Sequence, residues 1–365
     1  MARILYISPE HISGTLSLFQ RGHIDNGHEC RFATFFPASS GFPEDICLNL
    51  PLMPDSGWIK ALKSRAYQNT PEMLGQADRP GNPPIWRPNT AAEAVFFFLR
   101  DLLIAPRVKS AVKQHHLDQF DVIHLEQGLD FFRDARFARK MKERGAKIVC
   151  FYHGTDLRNR GVLPAVDKLS DLNLTSELDL LKKHPHIKYL HLPFDVDSFT
   201  VKEHENDPLI IGHACRGPAA RHFKGTDQII AVVKELEWEY PVKLDFVEGV
   251  SHDACLQRKA NWDIAIDQIA DVGGWGYGMN SLESLSMRIP TCTRMRPECD
   301  KFFTDHPFIN VTPDTLKNEL ICLIEDRSFR QKKAQDGLDW VKRTHALSSV
   351  MARLYDYYEE AGIFL

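Results

Sequence analysis

The stretch GGWGYGMNSLESLSMRIPT, residues 273–291, places four glycines within six residues (Gly273, Gly274, Gly276 and Gly278) directly before a helical pattern that carries one carboxylate, Glu283. Glycine lets backbone amides approach a ligand with no Cβ in the way, and it supplies positive φ where a turn needs it. A helix start adds unpaired N–H groups and a partial positive charge, which suit the oxygens of a phosphate or sugar phosphate. The helix is expected over 280–287, with Leu282, Leu285 and Met287 turned to a sheet and Glu283 close to any bound ligand. The same letters also read as a plain glycine-rich turn capped by Asn280. The flanking sequence decides between the two.

Outward from that loop, short apolar runs at 209–213, 243–247, 264–267 and 291–293 alternate with helical patterns at 226–238, 252–260 and 281–287. Strand and helix in alternation imply an α/β domain with a parallel sheet. The first half has the same rhythm. Buried-strand patterns lie at 3–7, 30–35, 121–125, 147–152, 172–174 and 189–192, with helices at 16–27 and 131–144. Both halves therefore read as doubly wound, Rossmann-like parallel sheets. Residues 204–208 read as a linker, which divides the chain into a first domain over 1–200 and a second over 201–345. The tail is helical over 331–358, and its aromatic cluster of Trp340, Tyr355, Tyr357 and Tyr358 suggests packing rather than free solvent. Residues 37–90 interrupt the pattern with nine of the 21 prolines and a basic, aromatic patch at Trp58, Lys60, Lys63, Arg65 and Tyr67. A long irregular insert of this kind is usually functional.

Composition removes several classes. With 43% hydrophobic and 26% charged residues in 365, the chain is an ordinary globular protein, and a net charge of −4 argues against a nucleic-acid partner. The charge is uneven, about +3 over 1–195 and −7 over the rest. The eight cysteines form no CxxC pair or zinc-like cluster and read as reduced, buried thiols of a cytoplasmic protein. Met1 runs into Ile4-Leu5-Tyr6-Ile7 without the regions of a signal peptide. The most apolar segment, 94–106, is broken by Arg100 and Asp101 and is too short to span a bilayer. Any membrane contact is therefore expected to be peripheral, at the inner face.

Ligands of doubly wound sheets bind outside the carboxyl ends of the strands, so residues there are the candidates, facing a cleft between the two domains. After the strand at 209–213 come Arg216, Arg221 and Lys224, three cations read as one loop before a helix, with Gly225 permitting close backbone approach. They suit a diphosphate, Arg as a planar fork and Lys as a point charge. At the end of the strand at 147–152, His153 opens His-Gly-Thr-Asp156 and can donate to a sugar hydroxyl or phosphate; a satisfied structural histidine is the plainer reading. His124 and Glu126 end another strand, with Glu126 the better base toward an acceptor. His11, Ser13, Gly14 and Thr15 fill the first βα loop, which lacks a GxGxxG spacing and so disfavours a nicotinamide enzyme.

These segments, in this order, make the chain resemble the retaining GT-B glycosyltransferases, specifically the family 4 group. There the loop and helix read E-G-F-G-x-x-x-x-E. Here Trp275-Gly276-Tyr277-Gly278 and Glu283 fall on that frame. The resemblance implies that Glu283 holds the donor ribose, with Gly274, Trp275, Gly276, Tyr277, Gly278, Met279, Asn280 and Ser281 around the donor. Lys224-Gly225 with Arg221 or Arg216 looks like the family's diphosphate clamp. FYHGTD, 151–156, looks like its F-H-G-x-D segment, whose histidine touches the donor sugar, and LPFDVDSF, 192–199, is similar to the P-N-G-V-D-x-x-x-F stretch that enters the second domain. The implied reaction moves a sugar from a nucleotide-diphosphate sugar, by default a UDP-sugar, to an acceptor hydroxyl with retention. His153, Lys224 and Arg221 are the catalytic candidates. The resemblance also makes 1–200 the acceptor domain, with Gly14, Thr15 and Glu126 on the acceptor side, makes 201–345 the donor domain, and implies that the C-terminal helix over 346–365 crosses back onto the first domain. Lys, Arg and a helix dipole then do the work a divalent cation does elsewhere, so neither metal nor cofactor is expected. The acceptor is expected to be a glycan, a lipid-linked glycan or a small molecule of cell-surface glycan synthesis.

One departure matters. Trp275 stands where the family has its first glutamate, the contact to the transferred sugar, which leaves open a non-catalytic sugar-nucleotide-binding module. A sugar-nucleotide epimerase on the same architecture is a third reading.

Overall fold

The computed structural model describes residues 1–38, 41–52, 79–272 and 275–365. Gly273, Gly274 and the patch from Trp58 to Tyr67 lie outside them. The chain forms two compact units, Met1–Pro193 with Val350–Leu365, and Phe194–Ser349.

The first unit is a seven-stranded sheet in the order β3-β2-β1-β4-β5-β6-β7, every neighbouring pair parallel. The strands are β1 Arg3–Ser8, β2 Glu29–Thr34, β3 Ile46–Cys47, β4 Val122–Glu126, β5 Lys147–Tyr152, β6 Leu172–Thr175 and β7 Ile187–Tyr189. Ile4, Leu5, Tyr6 and Ile7 of β1 are all fully buried, as a parallel strand covered on both faces requires. Three helices are relevant here: α1 Thr15–Asp25, α2 Ala91–Gln114 and α3 Arg136–Glu143.

Sequence patterning placed most of these elements, with two informative differences. The helix expected over 131–144 starts only at Arg136, because Ala135 takes a left-handed conformation (φ 57°) and Asp130 accepts from the backbone N–H groups of Phe132 and Ala138. Helix α2 was not expected, although its signal is in the letters. Thr90 Oγ1 accepts from Glu93 N–H at 3.1 Å while Glu93 Oε2 accepts from Asn89 N–H at 2.6 Å, a variant of the reciprocal T-x-x-E cap.

Residues 350–365 are held to this sheet by a buried polar network. His23 bonds Tyr6 Oη through Nε2 at 3.0 Å and Tyr355 Oη through Nδ1 at 2.9 Å, and His124 Nε2 bonds Tyr358 Oη. Burial pushes His23 down to about 3, so the ring is neutral and one nitrogen donates while the other accepts.

The second unit is a five-stranded parallel sheet, β12-β11-β10-β8-β9. It comprises β8 Leu209–Cys215, β9 Val242–Glu248, β10 Ile264–Ile266, β11 Thr291–Thr293 and β12 Ile309–Asn310. Its helices are α4 Pro218–Lys224, α5 Thr226–Glu239, α6 His252–Lys259, α7 Met279–Ser286, α8 Pro297–Phe302, α9 Leu316–Glu325 and α10 Arg327–His345. Trp262 packs flat against β8, where a Cβ on Gly212 would stand 1.7 Å from its Cδ2. The tail expected as one helix is two. It breaks at Ala346, whose ψ of 141° is extended, and α11 Leu347–Glu360 follows. The cysteines are all free thiols, but not all buried as expected: Cys322 is exposed on α9, and Cys47 and Cys255 are half-buried.

Candidate active site

In the second unit the strand order reverses between β8 and β10, and the residues at their carboxyl ends converge on the start of α7. Asp267, the residue after β10, is the hub. Its side chain is 3% exposed and accepts from Ser281 Oγ at 2.5 Å, from Asn280 Nδ2 at 2.9 Å and from the ammonium of Lys224. Burial alone would raise this carboxyl. The Lys224 charge and hydrogen bond, with Ser281 and Asn280, outweigh burial and hold it far below the usual carboxylate range.

A second ion pair borders the same helical turn. Glu283 takes Lys259 on Oε2 and His252 Nε2 on Oε1 at 2.9 Å, and Lys259 Nζ also reaches the carbonyl of Asn280 at 3.4 Å. Asn280 thus links the two carboxylates, donating to Asp267 with its side chain and accepting from Lys259 with its backbone carbonyl.

Several expectations need correction here. Arg221 and Lys224 do not lie in a loop: they are three residues apart in the last turn of α4. Arg221 is occupied by a two-point pair with Glu248, Nε to Oε1 and Nη2 to Oε2 at 2.7 Å each. Gly225 is needed for φ 71° between α4 and α5 and for room against Ile269, whose Cγ1 would stand 2.6 Å from a Cβ; it makes no opening for a ligand. Arg216 is exposed and has no hydrogen-bond or ion-pair partner among the described residues.

In the glycine loop, neither Gly276 nor Gly278 has positive φ. Gly276 gives its carbonyl to Gln268 Nε2 at 2.7 Å, and Gly278 is the N-cap of α7 with open space where a Cβ would be. Helix α7 starts at Met279, so Asn280 is inside it rather than its cap. Trp275 lies under the guanidinium of Arg296, 5.2 Å from ring centre to Cζ. Tyr277 bonds His345 Nε2 at 3.0 Å within an aromatic group of Phe303, Phe308 and Trp340.

Solved structures share this arrangement of strands. No protein-family model and no curated protein sequence matches the chain. HepE of Anabaena, solved in complex with UDP, superposes with a TM-score of 0.57 at 13% identity over 99% of this chain and 100% of that one. Its complex with UDP-glucose gives 0.55. The N-terminal domain of Candida albicans trehalose-6-phosphate phosphatase gives 0.61 at 13% identity over 98% and 97%, and TarM gives 0.55 at 9% over 98% and 99%. The fold is GT-B.

The first GT-B unit carries its own constellation. Its strand order reverses between β1 and β4, and Glu126 ends β4 at that point. His153, beyond the end of the neighbouring β5, sets Nε2 2.5 Å from Glu126 Oε2 and stacks its ring on Phe151 at 4.6 Å. The sequence reading treated Glu126 and His153 as separate groups, one for the acceptor and one for the donor sugar. They are one hydrogen-bonded pair. Asp156 fixes the turn by accepting from His153 N–H and Gly154 N–H at 2.8 Å each. Burial would lower the His153 pKa, but the charge and hydrogen bond of Glu126, aided by Asp156 and Glu177, raise it above its ordinary value. The other oxygen, Glu126 Oε1, is buried without a hydrogen-bond partner among the described residues. Gly14 (φ 70°) caps α1 in the loop after β1, and Thr15 Oγ1 is spent on the carbonyl of Ile12 at 3.1 Å.

Asp267, Lys259, His252 and Glu248 were missed by sequence reasoning. Asp267 was findable, as a carboxylate directly after the apolar run Ile264-Ala265-Ile266 at a strand's carboxyl end. Lys259 has no local signal, since in the letters it is an ordinary lysine at a helix end.

Proposed function

We propose that this chain is a glycosyltransferase that takes a sugar from a nucleotide-diphosphate sugar, with UDP as the leaving group, and passes it to an acceptor hydroxyl. The observation that carries the reading is the convergence of Lys224, Asn280, Ser281 and Asp267 on the start of α7, at the strand-order reversal of the second unit. Support comes from HepE, a protein of the same fold solved with UDP and with UDP-glucose.

In this reading Lys224 is the charge that meets the departing diphosphate, with Arg216 and the first amides of α7 beside it. Lys224 is shared with Asp267, so a diphosphate takes part of that ammonium rather than a free one, and Asn280 and Ser281 remain to hold Asp267. Catalysis then comes mainly from stabilising charge on the leaving group and from orientation. No protein nucleophile or metal ion enters this scheme, and retention follows from attack on the face the diphosphate leaves. His153, fixed by Glu126, contacts the donor sugar.

Calorimetry against UDP, GDP, ADP and dTDP tests the reading. One diphosphate, UDP, is expected to bind wild type and to be lost in Lys224→Ala; no binding by any of the four overturns it. A second reading, a binding module without transfer, is favoured by Trp275 in the glutamate position and by the pairing of both Lys224 and Arg221 with carboxylates. Hydrolysis of UDP-sugar by purified protein would rule it out, and product analysis without an acceptor would expose an epimerase.

We further propose peripheral contact with an anionic membrane, where a lipid-linked acceptor resides. No helix among the described residues is long and apolar enough to cross a membrane. Helix α2 exposes Val95, Phe96, Phe98, Leu99, Leu102 and Leu103, and then carries Arg107, Lys109 and Lys113. An apolar face with cations at one end suits the interface of such a bilayer. Wild type is expected to float with vesicles containing phosphatidylglycerol, and a Phe98→Ser/Leu102→Ser variant to stay behind. Equal recovery of the two proteins removes α2 from the contact.

A further inference from the structure

Lys259 is the most deeply buried cation of the second unit and has no part in the scheme above. Its side chain is 1% exposed, at the end of α6, with Nζ on Glu283 Oε2, 3.4 Å from the carbonyl of Asn280 and 5.9 Å from the centre of the Trp262 ring. An ammonium with so little water is held by its partners. Glu283 is nearly as enclosed, at 10% side-chain exposure, and its two oxygens face different surroundings. Oε2 points inward to Lys259. Oε1 meets His252, whose side chain is 65% exposed at the start of α6.

A carboxylate with one oxygen locked by a buried cation cannot rotate to offer the other elsewhere. Oε1 is therefore presented at a fixed place, at the edge of the α7 start, with an exposed histidine as its partner. A pair of neighbouring hydroxyls suits such an acceptor, since each donates one hydrogen bond and a carboxylate oxygen has two lone-pair directions. We infer that Lys259 is a positioning residue: it clamps Glu283 so that Oε1 receives the ribose hydroxyls of the nucleotide, and His252 holds that oxygen until the nucleotide arrives. This rests on the nucleotide-sugar reading above and adds to it a selection for ribose over deoxyribose, made by a residue that does not touch the ligand.

The test is calorimetric binding of UDP and of 2′-deoxy-UDP to wild type, Lys259→Met, Lys259→Arg and His252→Ala, with folding checked by circular dichroism. Wild type is expected to prefer UDP about tenfold, in line with the cost of leaving a site's polar group unpaired. Lys259→Met should erase that preference by weakening UDP more than 2′-deoxy-UDP, which has only its 3′-hydroxyl to lose, and Lys259→Arg should keep part of it. His252→Ala, at an exposed position that does not threaten the fold, should tighten UDP several-fold and 2′-deoxy-UDP less. Where Lys259→Met does not fold, Lys259→Met/Glu283→Gln removes both buried charges together and should lose the preference in the same way. A preference that survives in Lys259→Met, or UDP affinity unmoved in His252→Ala, overturns the inference with the nucleotide reading intact. Failure of wild type to bind either nucleotide overturns both.

Discussion

Lys224→Ala is expected to lose both transfer and stability. Transfer should fall by about 10²–10³, the usual loss when one donor to a developing oxyanion is removed. Stability should fall by about 3 kcal/mol, because Asp267 stays behind as a buried carboxylate without its counter-ion. The two losses separate in the double variant Lys224→Met/Asp267→Asn. Neutralising both partners restores most of the stability, since a buried pair contributes little over neutral groups of similar size, while transfer stays low. Urea denaturation and an initial-rate assay with UDP-sugar read the two quantities. Wild-type turnover in Lys224→Ala would refute the clamp.

The same pair sets an acid limit. The folded pKa of Asp267 is depressed relative to the unfolded chain, so its contribution to stability is complete above the ordinary carboxylate value of about 3.9 and fades as the pH falls below it. Wild type should therefore lose urea resistance between pH 4 and strongly acidic conditions (roughly the span from the unfolded to the folded value). Lys224→Met/Asp267→Asn should lose less.

Glu126→Gln is the second large effect. His153 depends on Glu126 both for orientation and for its raised pKa, so the variant should lower transfer by about 10²-fold, a typical cost of misplacing a contact at the reacting centre. Its imidazole should titrate below the ordinary value of about 6.5, because burial then acts with less opposition. A histidine with a raised folded pKa contributes stability that is complete below about 6.5 and is lost as the pH rises through the folded value. Wild type should accordingly lose that increment toward alkaline pH, and Glu126→Gln should not have it to lose. Histidine proton NMR and denaturation at pH 6 and 9 measure both. An unchanged His153 titration would show that the hydrogen bond of 2.5 Å does not operate in solution.

Much of the fold was legible because each strand carries its own signal. Parallel strands buried on both faces read as apolar runs, and Lys147–Tyr152 and Thr291–Thr293 stand where the patterning placed them. Short edge strands were missed: Ile46–Cys47 and Ile309–Asn310, two residues each, are too short to show a period. At the site, sequence picked out Lys224, His153 and Glu126 as loop or strand-end residues and Glu283 near the front of a helix. It did not see that each already has a partner of the opposite kind or, for the histidine, a carboxylate. Tyr277 shows the limit most plainly: nothing in the loop motif announces that its ring joins Phe303, Phe308 and Trp340.

By itself, then, the sequence determined the two parallel α/β units, the helix that follows the glycine loop and the strand ends where chemistry is concentrated, because periodicity and turn residues act over a few positions. Only the tertiary structure decided the charge balance of the site. Asp267 meets Lys224 across 43 positions, Lys259 meets Glu283 across 24 and Glu126 meets His153 across 27. Such pairs form through sheet order and helix packing, and the sequence spacing of their members carries no trace of either.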